Sequence, residues 1–397
     1  MKMPSSILVV DDEPDLELLI RQKFRKRIRS GELAFAFAGD GVEALDHLKA
    51  DEAVDIILTD INMPRMDGLT LLDHIARLDR LLRVVIVSAY SDMVNIRTAM
   101  NRGAFDFITK PIDFADLEAT LDKTLREVEA SKQAAAQHTR LTALERELDI
   151  AGRIQLSTLP SRFPAFPERR DFDLHARMQP AREVGGDFYD FFLIDEHRLG
   201  FVLGDVSDKG VGAAMFMAVT RTMLRATALR DVPAHTCVRH VNRVLYPESL
   251  PHMFVTLVYG ILDVRTGLVR YCNAGHNLPF LLRRRAEVET LPRTGGIGLC
   301  LLPDFDYQSK AVTLQPGDSL VLYTDGVTEA IDHQHDQFSE ERLAACLNRL
   351  RGYAPETLIR EVLHAVETFA DGTSQPDDIT LLTLQFHGTG GSAMTGS

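Results

Sequence analysis

Short apolar runs that end in aspartate recur in two separate parts of this chain. The acids at these ends are Asp11, Asp12 and Asp60 in the first part and Asp187, Asp205, Asp325, Asp377 and Asp378 in the second. Carboxylates gathered at strand ends repel one another unless a cation lies among them, and Mg²⁺ and Mn²⁺ prefer oxygen ligands of this kind. The pattern therefore predicts two metal sites in two domains.

Residues 1–125 alternate short apolar runs with helical patterns, which is typical of a parallel sheet with helices on both faces. The predicted strands cover residues 7–10, 34–38, 55–58, 84–87 and 105–109. Three of these runs are continuously β-branched or leucine-rich, as strands buried on both faces should be. We expect a five-stranded, doubly wound α/β domain with five helices, the last beginning near Phe114.

The last of these helices has no stop signal for a long distance. Between residues 113 and 159 there is no proline and only one glycine, Gly152. A helix of about forty residues would be roughly 60 Å long. Its apolar stripe, which includes Leu141, Leu144 and Leu148, predicts a helical or coiled-coil linker over 126–160 and a homodimer through it. The alternative is a helix that folds back on its own domains.

Three prolines, Pro160, Pro164 and Pro167, mark a boundary, after which the texture changes. Two apolar runs at 254–262 and 268–273 predict a β-hairpin. Helical patterns occur before it at 212–229 and after it at 340–351 and 355–369. For residues 161–386 we expect an α+β domain, with antiparallel sheets sandwiched by helices. The small, polar segment 387–397 is predicted to be a disordered tail.

The bulk properties exclude several classes of partner. A formal net charge of -13 argues against nucleic acid and against an anionic membrane surface. The four cysteines are scattered without a C-x-x-C pair, which predicts reduced thiols rather than a zinc site or disulfides. The chain shows no membrane-spanning run and no signal peptide, so a cytoplasmic location is expected.

In a parallel α/β sheet, ligands bind beyond the carboxyl ends of the strands. The first acidic set lies at such ends, and Ser88 and Lys110 follow the fourth and fifth strands. We expect Asp11 and Asp12 to hold Mg²⁺, with Asp60 and the backbone carbonyl of Asn62 as further ligands.

Asp60 is the predicted nucleophile, which accepts a phosphoryl group and forms an acyl phosphate. Ser88 and Lys110 are expected to contact the phosphoryl oxygens while the metal neutralises the developing charge. Both cis and trans forms stay open for the Lys110-Pro111 bond.

These segments resemble the receiver domain of bacterial two-component response regulators. The matching segments are Val9-Val10-Asp11-Asp12-Glu13, Thr59-Asp60-Ile61-Asn62-Met63-Pro64, Met66-Asp67-Gly68, Val87-Ser88-Ala89 and Lys110-Pro111. The resemblance implies phosphorylation of Asp60 by a histidine kinase, with Phe107 as the aromatic residue that responds to it.

The second acidic set combines carboxylates with glycines that let the backbone approach an ion closely. Its segments are Pro180 to Asp190, Gly204-Asp205-Val206-Ser207-Asp208-Lys209-Gly210, Tyr323 to Ala330 and Asp377-Asp378-Ile379-Thr380. Four separated acidic elements indicate a binuclear site, where two divalent cations clamp a phosphate ester and activate water without a protein nucleophile.

Residues 145–386 resemble the metal-dependent protein phosphatases of the bacterial sporulation and stress type, including the segment Ile150-Ala151-Gly152-Arg153-Ile154-Gln155. The resemblance implies that Asp187, Asp205, Asp325 and Asp377 are carboxylate ligands of two Mn²⁺ or Mg²⁺ ions, and that Val206 contributes its backbone carbonyl. Asp378 is included in the predicted metal set, with the order of Asp377 and Asp378 left open. The implied substrate is a phosphoserine or phosphothreonine protein, such as an anti-sigma-factor antagonist.

Three residues depart from simple expectations for such a domain. Asp208 stands where the family usually has glycine; a side chain facing solvent is favoured over one that recruits a third cation. Cys300 replaces a small residue and is expected to pack. His276 is interpreted as a structural, hydrogen-bonding residue, with a general acid as the alternative.

The sequence thus predicts a response regulator in which phosphorylation of Asp60 controls a protein serine/threonine phosphatase. The alternative is a degenerate phosphatase that only captures or releases a partner. Because all four acidic elements are present, the enzyme is favoured.

Overall fold

The computed structural model describes residues 4–51, 53–78, 80–89 and 92–388. The chain divides into two compact units, residues 1–144 and 145–397. The tail predicted for 387–397 lies outside the described residues from position 389 onward.

The first unit contains a five-stranded parallel sheet in the order β2-β1-β3-β4-β5. Its strands are β1 (Ser5–Val10), β2 (Leu33–Ala38), β3 (Val54–Asp60), β4 (Arg83–Ala89) and β5 (Asp106–Lys110). The predicted α/β fold is confirmed, and all five predicted strands lie within about two residues of the observed bounds.

Six helices belong to this sheet rather than the five predicted. They are α1 (Pro14–Lys23), α2 (Arg25–Arg29), α3 (Gly41–Ala50), α4 (Gly68–Ile75), α5 (Met93–Asn101) and α6 (Phe114–Thr158). The additional helix among the described residues arises because the segment between β1 and β2 forms two helices, α1 and α2, where the backbone leaves helical geometry at Phe24 (φ -92°, ψ 12°). The Phe24 ring is buried in the core at that break, which no helical period reveals.

Alternate residues of the central strands enter two separate cores, one on each face of the sheet. Leu8, Ile57 and Ile86 pack on one face, and their neighbours in sequence pack on the other. Burial on both faces fixes the register of each strand and therefore the position of the residue that follows it.

Helix α6 is one continuous helix of 45 residues, as the absence of proline predicts. Its first turns are part of the first unit, where Leu117, Leu121 and Val128 are buried. Further along, Leu141 and Leu144 have exposed fractions of 59% and 47%.

The second unit contains two five-stranded antiparallel sheets, in the orders β13-β10-β9-β8-β7 and β12-β11-β14-β15-β6. Their strands are β6 (Phe172–Gln179), β7 (Phe188–Leu193), β8 (Arg198–Val206), β9 (Val255–Asp263), β10 (Leu268–Ala274), β11 (Phe280–Leu282), β12 (Glu289–Thr290), β13 (Lys310–Thr313), β14 (Ser319–Tyr323) and β15 (Ile379–Phe386). The predicted hairpin is confirmed, because β9 pairs with β10 in antiparallel register.

Helices cover both sheets of this unit. They are α7 (Val211–Ala228), α8 (Ala234–Leu245), α9 (Asp325–Thr328), α10 (Ser339–Arg349) and α11 (Pro355–Ala370). One face of the sheet that contains β14 and β15 packs against the sheet that contains β7 to β10, through Leu320, Leu382 and Leu384. The other face packs against α10 and α11, through Val321 and Leu381. The α+β expectation is thus confirmed as two sheets packed face to face between helices.

Across the residues that the structure describes, none of the helices is both long and apolar enough to span a membrane.

The central strands of the second unit pack tightly enough to require glycine. Gly260 on β9 lies opposite Phe201 on β8, and a Cβ at Gly260 would lie 2.3 Å from Cζ of the Phe201 ring. We expect Gly260→Ala to lower the free energy of unfolding by about 1–3 kcal/mol, because the buried ring has no room to move. Urea unfolding measures this change.

Gly212→Ala is the matched control. A Cβ at Gly212 in α7 would make an ordinary 3.6 Å contact with Cε of Met253. Equal loss of stability in both variants would contradict the steric explanation.

Candidate metal centres

The fold brings the first acidic set together at the carboxyl ends of β1 and β3. Ligand oxygens of Asp11, Asp12 and Asp60 all lie within 4.8 Å of one another. Asp60 is the last residue of β3 and is buried, whereas Asp12 is exposed. Three carboxylates at this spacing, open to solvent on one side, fit a hard divalent cation.

Lys110, the last residue of β5, reaches into this group. Its Nζ donates hydrogen bonds to Asp60 Oδ2 at 2.7 Å, to Asp11 Oδ2 at 3.0 Å and to Glu13 Oε1 at 3.0 Å. Burial disfavours the charged ammonium, but these bonds outweigh burial and raise the pKa of Lys110 above its ordinary value. Burial raises the pKa of Asp11, against the opposing effect of its hydrogen bonds. Lys110 thus stays charged beside the carboxylates.

The other predicted residues of this site surround Asp60. Asp60 Oδ1 accepts hydrogen bonds from the backbone N–H of Ile61 at 2.6 Å and of Asn62 at 3.3 Å. Ser88 is fully buried, and its hydroxyl finds no hydrogen-bond partner among the described residues. An orphaned hydroxyl at the end of the neighbouring strand is suited to an oxygen that arrives with a phosphoryl group. The Lys110-Pro111 bond is cis.

In the second unit, four segments from both sheets converge. Asp187 immediately precedes β7, Asp205 lies near the end of β8, Asp325 begins α9 directly after β14, and the Asp377-Asp378 pair precedes β15. The carboxylates of the second unit are more widely spaced than those of the first. Among the described residues, only Asp11, Asp12 and Asp60 form a group of three whose ligand atoms all lie within 4.8 Å of one another.

Asp187 is the most deeply buried of these acids, at 1% exposed. Its Oδ2 accepts hydrogen bonds from Thr324 Oγ1 at 2.7 Å and from Thr380 Oγ1 at 2.6 Å. Burial, followed by the charges of Asp205 and Asp378, raises its pKa well above the ordinary value. Neither threonine is predicted as a site residue from the sequence, although each lies within two residues of an acid in the motifs.

The remaining carboxylates also raise one another's pKa values. Burial and the charges of Asp325 and Asp377 raise the pKa of Asp205 to about 7. Burial and the charge of Asp377 raise the pKa of Asp325. Such a group is short of positive charge, which bound divalent cations would supply.

Glycines hold space open beside these acids. A Cβ at Gly186 would lie 2.7 Å from the Val206 carbonyl oxygen and 3.3 Å from Asp205 Oδ1. The predicted backbone ligand and a predicted carboxylate ligand therefore both lie next to Gly186, where a larger residue would crowd them. This cradle fits a cation held by the Val206 carbonyl and Asp205.

The structure separates the roles of Asp377 and Asp378. Both oxygens of Asp378 accept backbone hydrogen bonds, Oδ1 from Ala181 N at 2.8 Å and Oδ2 from Gly186 N at 2.8 Å. Asp377 is 32% exposed and points its Oδ2 to Lys209 Nζ at 2.8 Å. Asp377 is therefore the more accessible of the two to a cation, while Asp378 fixes the loop that carries Gly186.

A further contact to this loop comes from the last turns of α6. Gln155 Nε2 donates to the Gly185 carbonyl at 2.6 Å, and Gln155 Oε1 accepts from Gly185 N at 3.1 Å. A Cβ at Gly152 would lie 2.0 Å from the Glu183 carbonyl oxygen, so the helix touches the loop backbone there. The sequence shows these residues only as part of a resembling motif; their contact with the loop is tertiary.

The three departures noted from sequence behave as interpreted. Asp208 is exposed and has a left-handed backbone (φ 78°), and Cys300 is buried. His276 is buried, with Nδ1 2.8 Å from Thr256 Oγ1 and Nε2 3.2 Å from the Tyr323 carbonyl oxygen. Burial lowers the pKa of His276 to about 4, which suits a neutral structural residue rather than a general acid.

Comparison with known proteins agrees with this architecture. Residues 7–122 match the response regulator receiver domain, and residues 195–387 match stage II sporulation protein E. The first unit is therefore similar to response regulator receiver domains, and the second unit is similar to stage II sporulation protein E.

Particular relatives match over part of their length. Protein IcfG of Synechocystis is 33% identical over 60% of this chain and 41% of its own. Phosphoserine phosphatase RsbU of Bacillus subtilis is 26% identical over 47% of this chain and 54% of its own. The chain thus spans about half the length of these relatives.

A solved structure supports the fold of the second unit. The SiaA-PP2C domain of Pseudomonas aeruginosa aligns with a TM-score of 0.55 and 20% identity, and the match covers 62% of this chain and 98% of that domain.

The separate roles of Asp377 and Asp378 can be tested by isosteric substitution. We expect Asp378→Asn to lower the free energy of unfolding by about 1–3 kcal/mol, because one amide nitrogen would face a buried backbone donor. Asp377→Asn should leave metal-free stability nearly unchanged, because losing the ion pair with Lys209 is offset by losing the repulsion with Asp205 and Asp325, but it should weaken Mn²⁺ binding. Thermal melting without metal and calorimetric titration with Mn²⁺ measure the two effects; the reverse pattern would exchange the two assignments.

Proposed function

We propose that this protein is a metal-dependent protein serine/threonine phosphatase whose rate is controlled by phosphorylation of Asp60. The observation that carries the proposal is the convergence of Asp187, Asp205, Asp325 and Asp377 beside the open cradle at Gly186. The similarity to proteins such as the phosphoserine phosphatase RsbU supports the same reaction class.

In this proposal, Asp187, Asp205, Asp325 and Asp377, with the Val206 carbonyl, hold two Mn²⁺ or Mg²⁺ ions. When bound, such ions neutralise charge on a phosphate ester and make water a stronger nucleophile. The chain's contribution is positional: Thr324 and Thr380 orient Asp187, and Asp378 fixes the loop around Gly186.

The cysteines do not favour a thiol-based phosphatase. All four are buried. Burial raises the pKa of Cys237 and of Cys272 to about 12 and that of Cys300 to about 11. Thiols in such surroundings stay protonated and are poor nucleophiles.

The first unit supplies the input in this proposal. A histidine kinase donates a phosphoryl group to a carboxylate oxygen of Asp60, and the kinase's histidine nitrogen leaves. Asp11, Asp12 and the Asn62 carbonyl hold Mg²⁺, Lys110 already bonds Asp60, and the Ser88 hydroxyl is free to donate to a phosphoryl oxygen.

Helix α6 is the proposed route between input and output. It begins in the first unit, and its last turns carry Gln155, whose two hydrogen bonds hold Gly185 beside the metal cradle. A shift or rotation of α6 would therefore move Gly185 and Gly186. The exposed leucines at 141 and 144 suit pairing with a second copy of α6, so the proposed state is a homodimer.

The proposed substrate is a phosphoserine or phosphothreonine protein, specifically an anti-sigma-factor antagonist in a partner-switching pathway. This step rests on the resemblance of the second unit to stress-response phosphatases.

Catalysis can be tested with the purified full chain and Mn²⁺. We expect hydrolysis of an aryl phosphate by the wild type, and a loss of about a hundredfold or more in Asp325→Ala because one carboxylate ligand is gone. Phosphate release measures the rate. Unchanged activity in the variant would remove Asp325 from the site. A wild type inactive on both an aryl phosphate and phosphoprotein substrates would favour the adaptor alternative.

Control by Asp60 can be tested with beryllofluoride, which mimics an aspartyl phosphate. We expect it to change the phosphatase rate of the wild type severalfold, and to have no effect on Asp60→Asn. Gln155→Ala should keep phosphoacceptance but lose the response, because Gly185 is then no longer tied to α6. An equal response in wild type and Gln155→Ala would contradict this route.

A further inference from the structure

Lys209 introduces a positive charge into the acidic group of the second unit. Its Nζ lies 2.8 Å from Asp377 Oδ2 and donates a hydrogen bond to the Pro376 carbonyl at 2.7 Å. Among the described residues, it is the basic side chain that forms an ion pair with one of the four proposed carboxylate ligands.

The charge of Lys209 also acts on the neighbouring acids. It opposes the upward shift in the pKa of Asp325 and of Glu329, which burial and neighbouring carboxylates cause. The ammonium therefore pairs with Asp377 and lies near enough to Asp325 and Glu329 for its charge to act on them. This is the arrangement of a counter-ion rather than of a single surface ion pair.

The backbone around Lys209 presents the side chain in this direction. Asp208 and Gly210, on either side, both have positive φ values, of 78° and 86°. Asp208 Oδ1 accepts a hydrogen bond from Lys209 N at 2.9 Å, which fixes the turn. The turn fixes the backbone of Lys209, and the Pro376 carbonyl holds its ammonium beside Asp377.

We propose that Lys209 is an internal counter-ion that competes with a divalent cation for Asp377 and so sets the metal affinity of the phosphatase site. Asp377 Oδ2 bonds the ammonium, and Oδ1 already accepts a hydrogen bond from Asp378 N at 2.8 Å. A cation that binds Oδ2 must displace Lys209 or share the oxygen with it. Either event opposes metal binding, because the two positive charges repel and the ion pair is lost.

This inference rests on the proposed function, since it assumes that Asp377 binds metal. In the absence of metal, the ammonium of Lys209 compensates part of the negative charge of this site. Lys209 stabilises the metal-free state, and the site fills only when the free metal concentration is high enough to overcome that contribution.

The test is an Mn²⁺ titration of the full chain, followed by calorimetry or by the electron paramagnetic resonance signal of free Mn²⁺. Asp12→Asn serves as the background, so that the site in the first unit contributes little. We expect Lys209→Met, which keeps the aliphatic stem, to bind Mn²⁺ about fivefold more tightly, the size expected for a half-exposed ion pair. Lys209→Arg should stay close to the wild-type affinity.

Arg182→Met is the matched control for general field effects. Arg182 lies on the Gly185 loop, is exposed, and has no ion pair with the described residues. Its loss should leave the Mn²⁺ affinity nearly unchanged. Equal tightening in Arg182→Met and Lys209→Met, or unchanged or weaker binding in Lys209→Met, would overturn the proposal.

Thermal melting separates a counter-ion from a merely structural residue. Without metal, Lys209→Met should melt below the wild type, because three carboxylates lose their cation; saturating Mn²⁺ should close this gap. A gap that persists with bound Mn²⁺ would assign Lys209 to loop structure alone. If the wild type itself binds no Mn²⁺ in the second unit, the proposed function fails instead, so the two failures are distinguishable.

Discussion

Repulsion between carboxylates is the constraint on which both halves of this molecule depend. Each fold carries several aspartates to one place, and burial removes the water that would otherwise screen them. The raised pKa values of Asp11, Asp187, Asp205 and Asp325 show the cost of this arrangement. A protein keeps such a cost where the charge is needed for binding or chemistry.

The surrounding structure holds the acids in place against this repulsion. In the second unit the groups that fix Asp187 and Asp378 are neutral: the hydroxyls of Thr324 and Thr380 on Asp187, and backbone amides on Asp378. Neutral donors orient a carboxylate without cancelling its charge, so its remaining lone pairs stay available to a cation. The sheets make this possible, since Asp187, Asp205 and the Asp377-Asp378 pair adjoin strands whose register is fixed by buried neighbours.

The sequence allowed most of the architecture to be predicted, because the informative residues lie in short, continuous motifs. Strands β1 to β5, the hairpin of β9 and β10 and the unbroken α6 all follow from local patterns. The break at Phe24 and the hydrogen bonds of Gln155 to Gly185 could not be predicted in this way. Both depend on tertiary packing between segments distant in the sequence. The order of Asp377 and Asp378 also required coordinates, since adjacent residues on an extended segment point to opposite sides.

The two sites differ in the place given to their lysine. Lys110 bonds Asp11, Glu13 and Asp60 together, and its raised pKa keeps it charged, so it can stay as a permanent member of a site whose carboxylate is the proposed phosphoryl acceptor. Lys209 instead bonds Asp377, whose proposed role is to bind a metal ion. The Lys209 side chain is 39% exposed, so its ammonium can move from Asp377 into solvent. A lysine that neutralises a reacting carboxylate supports the chemistry, whereas one that neutralises a metal ligand opposes loading. The same ion pair therefore has opposite consequences in the two sites, and the difference lies in what the carboxylate must do next.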